Sequence, residues 1–114
     1  MSKAARLPWV FLVPLLVVAP ILVAQSATAK LFGTIFDTQK LVLPGVAVHA
    51  RETHTGFTRN TVTNNDGYYE FQGLQPGDYE IAWELANFST GKTQVKLEIN
   101  QQAKLDLEMS VGTL

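Results

Sequence analysis

The sequence predicts an all-β sandwich of about seven short strands, preceded by a helix in an apolar leader segment. Three observations predict it. From Leu31 onward, apolar and polar residues alternate with period two in one segment after another. Turn signals at Pro44-Gly45, Asp66-Gly67 and Pro76-Gly77 separate those segments. No stretch after Ala29 shows the period of an amphipathic helix. The pattern is clearest from Thr63 to Ile81. There Tyr69, Phe71, Tyr79 and Ile81 share one face, with Glu70 and Glu80 on the other.

The apolar segment comes first. Leu7 to Ala24 contains no charge; Lys3 and Arg6 precede it and Ala27-Thr28-Ala29 follows. A basic start, an apolar run and an A-x-A site make a secretory signal peptide. The expected cut after Ala29 divides the chain into a leader, residues 1–29, and a domain, residues 30–114. An uncleaved anchor helix is the alternative, since the run reaches the lower limit for a span. Pro8, Pro14 and Pro20 argue against a firm helix. No cysteine follows the run, which excludes lipid attachment through one.

The chain has 114 residues, 46% of them hydrophobic, and a net charge of −1, which suits one small globular domain. Without the leader, seven basic residues face ten acidic ones. That balance disfavours nucleic acid as a partner, because phosphate binding needs clustered Lys and Arg. Cysteine is absent, so the domain must fold outside the cytoplasm without disulfides. At about 85 residues it needs a well-filled shared core.

Leu31–Asp37 reads as the first strand, with Leu31, Gly33 and Ile35 on one face and Phe32, Thr34 and Phe36 on the other. Thr38–Lys40 is loop-like, and Leu41–Gly45 carries apolar side chains into a turn. Val46–Glu52 is the second strand, with Val46, Val48 and Ala50 inward. Thr53–Gly56 makes a hairpin connection. Phe57–Thr63 is a third strand with Val62 as its core residue, and its weak pattern suits an edge. At Asp66-Gly67, Gly accepts positive φ and Asp can bond its own backbone. At Pro76-Gly77, Pro presets the first central position of a type II turn and Gly fits the second. Tyr79–Leu85 alternates cleanly, with Trp83 in the core phase. Asn87-Phe88-Ser89 interrupts it. Gln94–Ile99 is a further strand, Asn100 and Gln101 turn the chain, and Lys104–Met109 alternates to the end with Leu107 inward.

An ordered set of residues carries a family resemblance. Gly33-x-Ile35-x-Asp37 is followed by Leu43-Pro44-Gly45-Val46-x-Val48. Then come Arg59-x-Thr61-Val62-Thr63-Asn64-x-Asp66-Gly67-x-Tyr69-x-Phe71-x-Gly73-Leu74-x-Pro76-Gly77-x-Tyr79-x-Ile81 and Leu105-x-Leu107. Each motif is weak alone, but the set resembles the carboxypeptidase regulatory-like domain. The resemblance implies a transthyretin-like (prealbumin-like) seven-stranded Greek-key-type sandwich, close to starch-binding-like modules. It also implies a non-catalytic accessory domain, of the kind found ahead of the plug and barrel in Oar-like TonB-dependent outer-membrane receptors. A barrel of about 22 strands does not fit in this chain, so the expectation is a receptor front end rather than a transporter.

The candidate chemistry is sparse. His49 sits out of the core phase and His54 in a turn, without the converging ligands of a zinc site. Asn64, Asn65 and Asp66 could offer oxygens to calcium, but turn hydrogen bonds are the simpler role. The transthyretin-related hydroxyisourate hydrolase would end in Tyr-Arg-Gly-Ser. This chain ends Val111-Gly112-Thr113-Leu114, so Arg51 and Arg59 receive no catalytic role. No catalytic, cofactor-binding or metal-ligating residue is assigned. Tyr68, Phe57 and Phe88 are candidate ligand contacts, because exposed rings stack on sugars. Asp66, Gly67, Pro76 and Gly77 are assigned to turns. The expectation is an exported, non-catalytic module that contacts an envelope or outer-membrane protein. Carbohydrate binding is the alternative. Its address would be the periplasm, the outer membrane or the medium.

Overall fold

The computed structural model describes residues 12–20 and 27–112. Within them the chain forms eight strands and no helix. They are β1 (Ala29–Asp37), β2 (Ala47–Glu52), β3 (Thr58–Val62), β4 (Tyr68–Leu74), β5 (Gly77–Glu84), β6 (Gly91–Leu97), β7 (Gln102–Lys104) and β8 (Leu107–Met109).

Two sheets pack face to face. In the first, β4 pairs antiparallel with β1, Leu31 opposite Phe71 and Gly33 opposite Tyr69. β7 and β8 both run parallel to β1, against Lys30–Phe32 and Ile35–Asp37. The second sheet has the order β3-β2-β5-β6 and is antiparallel throughout. Pairing of β1 with β4 and of β2 with β5 gives the expected Greek-key-type sandwich. The core between the sheets takes Leu31, Ile35, Tyr69, Phe71, Leu74, Leu107 and Met109 from one side. Val46, Val48, Ala50, Tyr79, Ile81 and Leu97 come from the other. The Tyr69 and Phe71 rings meet edge to face at 6.2 Å. Both buried tyrosines reach a carbonyl, Tyr69 donating to Leu105 O and Tyr79 to Gln75 O.

The last strand expected, Lys104–Met109, is two strands. The chain steps out between them at Leu105 and Asp106. Leu105 N–H donates to Phe32 O, and the Asp106 carboxylate accepts from Thr34 N–H at 2.9 Å, taking the place of a backbone carbonyl. Gly33 makes this approach possible, because a Cβ there would lie 1.9 Å from the Leu105 oxygen.

Four further expectations are corrected. Val62 is 59% exposed; on β3 it is Thr61 and Arg59 that lean toward the core, and Thr63 just beyond the strand is buried. Thr63 Oγ1 donates to Leu43 O and accepts from Val46 N–H, and holding these two bonds inward turns Val62 outward. Gly77 does not complete a type II turn, since the positive φ falls on Gly73 (68°) and Gly77 already belongs to β5. In the Asp66-Gly67 turn, Gly67 has φ 71°, but the capping side chain is Asn64, whose Oδ1 accepts from Asp66 and Tyr68 N–H. Finally, the expected leader helix is absent over residues 12–20, where Pro14 and Pro20 remove helix donors. Residues 1–11 and 21–26 of that leader lie outside the described residues. The expected cut after Ala29 falls inside β1, where Ala29 is 2% exposed and opposite Leu74.

Candidate functional site

Three places gather polar or aromatic side chains. The first is the end of the second sheet where β2 stops. Glu52 follows Val46, Val48 and Ala50 in the inward phase, so its carboxylate is carried to the rim of the core and is buried there. The following loop folds over it. His54 N–H donates to Oε1, with His54 Nδ1 3.2 Å from the same oxygen. Thr55 N–H and Oγ1 donate to Oε2 at 2.7 and 2.6 Å. These bonds, the Thr55 hydroxyl first, hold the Glu52 carboxyl down at about 2. Glu52, Thr55, Phe57, Gln75, Pro76 and Tyr79 line a small cavity of about 130 Å³ at this end. A carboxylate so fully bonded anchors a loop; it has no proton to exchange near neutral pH.

The second place is the outer face of the second sheet. His49 Nδ1 lies 2.6 Å from Asn60 Oδ1 and Nε2 3.3 Å from Glu84 Oε1, which bridges β3, β2 and β5. The bond to Asn60 raises the His49 pKa. Its hydrogen-bond partners among the described residues are a carboxamide and a carboxylate, and Val62 lies exposed on the same face opposite Ala47.

The third is the outer face of the first sheet. Alternation turns Phe32 and Phe36 of β1 and Tyr68 of β4 to this side. Phe32 and Tyr68 lie 6.4 Å apart with planes tilted by 43°. Lys30 Nζ sits 5.0 Å from the Phe32 ring centre and 2.7 Å from Glu70. Lys40 sits 4.9 Å from the Phe36 ring centre and 3.4 Å from Glu108. Beyond Lys30, an open cleft of about 430 Å³ is lined by Thr28, Gln72, Gly73, Asn100, Gln101 and Gln102.

The residues singled out in the sequence are not brought together. Tyr68 starts β4 beside the β3–β4 turn, on the first sheet. Phe57 stands, half exposed, over the Glu52 cavity, at the opposite end of β3. Phe88 is half-buried against the core, and its backbone bridges to Val111. His49 lies on the outer face of β2 and His54 in the loop that follows β2. No group of three or more His, Asp or Glu side chains among the described residues is placed to hold a metal ion. Sequence reasoning passed over Glu52 and Phe32. Both were visible as phase violations: an acid in step with inward residues, and a large ring in step with outward ones.

The carboxypeptidase regulatory-like domain family matches residues 30–110. The TonB-dependent transporter Oar of Myxococcus xanthus is 28% identical over 88 residues, which is 75% of this chain and 8% of the transporter. Among solved structures, the Bacillus anthracis TIE protein superposes with a TM-score of 0.64 at 19% identity, over 75% of this chain and 17% of that one. Catechol 1,2-dioxygenase of Acinetobacter radioresistens gives 0.60 at 10% identity, over 76% and 53%. The pilus 2b backbone protein of group B streptococcus gives 0.59 at 16% identity, over 74% and 41%. At these identities the structures share a sandwich with this chain and nothing finer.

Proposed function

The chain belongs to the carboxypeptidase regulatory-like domain family, and from that premise we propose that it is an exported, non-catalytic module acting by contact in the cell envelope. The observation that carries this reading is the family match from Lys30 through β8, which takes in nearly the whole sandwich. The similarity to a small part of an outer-membrane transporter supports an envelope address and a receptor-front role. The charge-free run from Leu7 to Ala24 and the A-x-A site support export. The most perturbed acid, Glu52, is spent on loop hydrogen bonds, and His49 is paired with Asn60 and Glu84 rather than with a nucleophile.

The test is fractionation with cross-linking. The tagged protein should sediment with the envelope, begin at Lys30 by mass spectrometry, and cross-link to an outer-membrane β-barrel protein. A cytoplasmic address, or turnover of peptide substrates by the purified protein, would overturn the reading.

A further inference from the structure

Packing explains the inner faces of β1 and β4; their outer faces carry a pair of half-buried rings, Tyr68 and Phe32, the latter with the Lys30 ammonium 5.0 Å from its centre. Phe32 stands in the central strand, opposite Glu70 on β4 and Lys104 on β7. Tyr68 lies diagonally beside it. Lys30 and Gln72, which flank Phe32, also belong to the wall of the adjoining cleft. Rings and cleft are therefore one continuous surface.

We propose that this surface, the Phe32–Tyr68 pair together with the cleft walled by Gln72, Asn100, Gln101 and Gln102, binds an uncharged polysaccharide. The chemistry selects that class. Sugar rings present apolar C–H faces that pack on aromatic rings, and rows of hydroxyls that both donate and accept. Carboxamides offer both functions on one side chain, and four stand around the cleft: Gln72 already donates to Glu70 and Gln101 already accepts from Glu98 N–H, while Asn100 and Gln102 make no side-chain hydrogen bond among the described residues. The charges on this face cancel in pairs: Lys30 with Glu70 at 2.7 Å, Lys104 with Asp106 at 3.7 Å, Lys40 with Glu108 at 3.4 Å. An anionic polymer or a lipid phosphate would find each ammonium already matched and a carboxylate beside it. A neutral ligand meets no such conflict. Lys30 and Glu70 instead supply a fixed donor and acceptor next to the Phe32 ring. The site differs from a cluster of Tyr68, Phe57 and Phe88, and it stands independently of any protein partner in the envelope.

The experiment is a titration of the ¹⁵N-labelled protein with maltohexaose, cellohexaose and xylohexaose, followed by amide chemical shifts. With at least one of them, shifts should concentrate at Lys30, Phe32, Tyr68, Gln72 and Gln102. Tyr68→Ala should weaken binding about tenfold, the effect of losing one stacked ring. Gln102→Ala, at an exposed position, should weaken it without altering the rest of the spectrum. No shift with any of the three up to about 10 mM would overturn the proposal, since that range still detects millimolar affinity. So would shifts centred on Phe57 and Pro76, or full affinity in both variants. The envelope reading would survive each of those failures, because its cross-links and address are measured separately.

Discussion

The two sheets of this sandwich are built from the same alternation but solve different problems. The second sheet, β3-β2-β5-β6, is a plain antiparallel ladder in continuous register. Its outer face carries Ala47, His49, Arg51, Ala82 and Glu84, with His49 bonded to Asn60 and Glu84 and Val62 exposed at the edge, and among the described residues no aromatic pair. The first sheet is mixed. Its central strand β1 touches backbone directly at Gly33, and its outer face holds three rings, two of them under a lysine. The difference teaches that period-two patterning assigns faces equally well in both sheets. It does not reveal where backbones approach closely or which outer face is specialised.

A pair of glycine substitutions tests that contrast most severely. Gly33 and Gly91 are each crowded by a neighbour that a Cβ would overlap. At Gly33 the neighbour is the Leu105 carbonyl, and moving it displaces the whole β7–β8 connection. At Gly91, on the edge strand β6, it is the indole of Trp83 on the neighbouring β5, a half-buried side chain that can tilt away. Gly33→Ala should cost about 3 kcal/mol, at the upper end of overpacking effects, and Gly91→Ala about 1 kcal/mol or less. Chemical denaturation of both variants measures the difference. Equal costs would mean that the first sheet is no tighter than the second. For a domain this small, a loss of about 3 kcal/mol is a large share of total stability.

Acid stability separates the sheets next. Glu52 belongs to the second sheet and Glu70 to the first. Both carboxyls are held below the ordinary 4.5, Glu52 at about 2 by the Thr55 hydroxyl and the loop amides, Glu70 by the Lys30 ammonium. Each has a lower value folded than unfolded, so the folded state favours the ionised form. That stability is fully present above about pH 4.5 and is lost as pH falls toward about 2. The melting temperature should therefore drop across this window. Glu52→Gln should flatten the drop more than Lys30→Met, because Glu52 is enclosed by its loop and the Lys30–Glu70 pair is open to water. A Glu52→Gln protein with the parent's acid limb would show that the loop bonds carry no linkage.

Most of the fold was legible before any coordinates. The inward residues Leu31, Ile35, Val48, Tyr69, Phe71, Tyr79, Ile81 and Leu107 follow from phase alone. What escaped was settled by side chains acting as backbone. Asp106 stands in for a carbonyl and splits the final strand; Asn64 rather than Asp66 caps the central turn; Glu52 gathers its loop and packs closely on Gly77, where a Cβ would lie 3.2 Å from its side chain. These roles depend on residues brought from 72 positions away or on the exact path of a loop. Of the candidate site, Tyr68 was legible as an outward ring, while its union with Phe32 required knowing that β1 and β4 are neighbours. Phe57 over the Glu52 cavity and Phe88 against the core lie apart from Tyr68, a separation that strand phase alone does not show.

The smallest expected effect is at the edge of the second sheet, and it decides a phase. Val62 is the only aliphatic residue in β3, and sequence pattern places it in the core. In the structure it points outward opposite Ala47, and the buried position is Thr63. Val62→Thr keeps the β-branched shape that strands favour, so propensity stays nearly constant and only burial is tested. The change should shift stability by less than about 0.5 kcal/mol, as for other exposed positions. Thr63→Val keeps the same shape but removes the hydroxyl between Val46 N–H and Leu43 O, which should cost about 1–3 kcal/mol. If the two costs came out reversed, β3 would be shifted by one residue against β2, and every outward assignment on that strand would change sides. The small size of the Val62 effect is therefore its value: a hydroxyl tolerated there fixes the register of the edge strand.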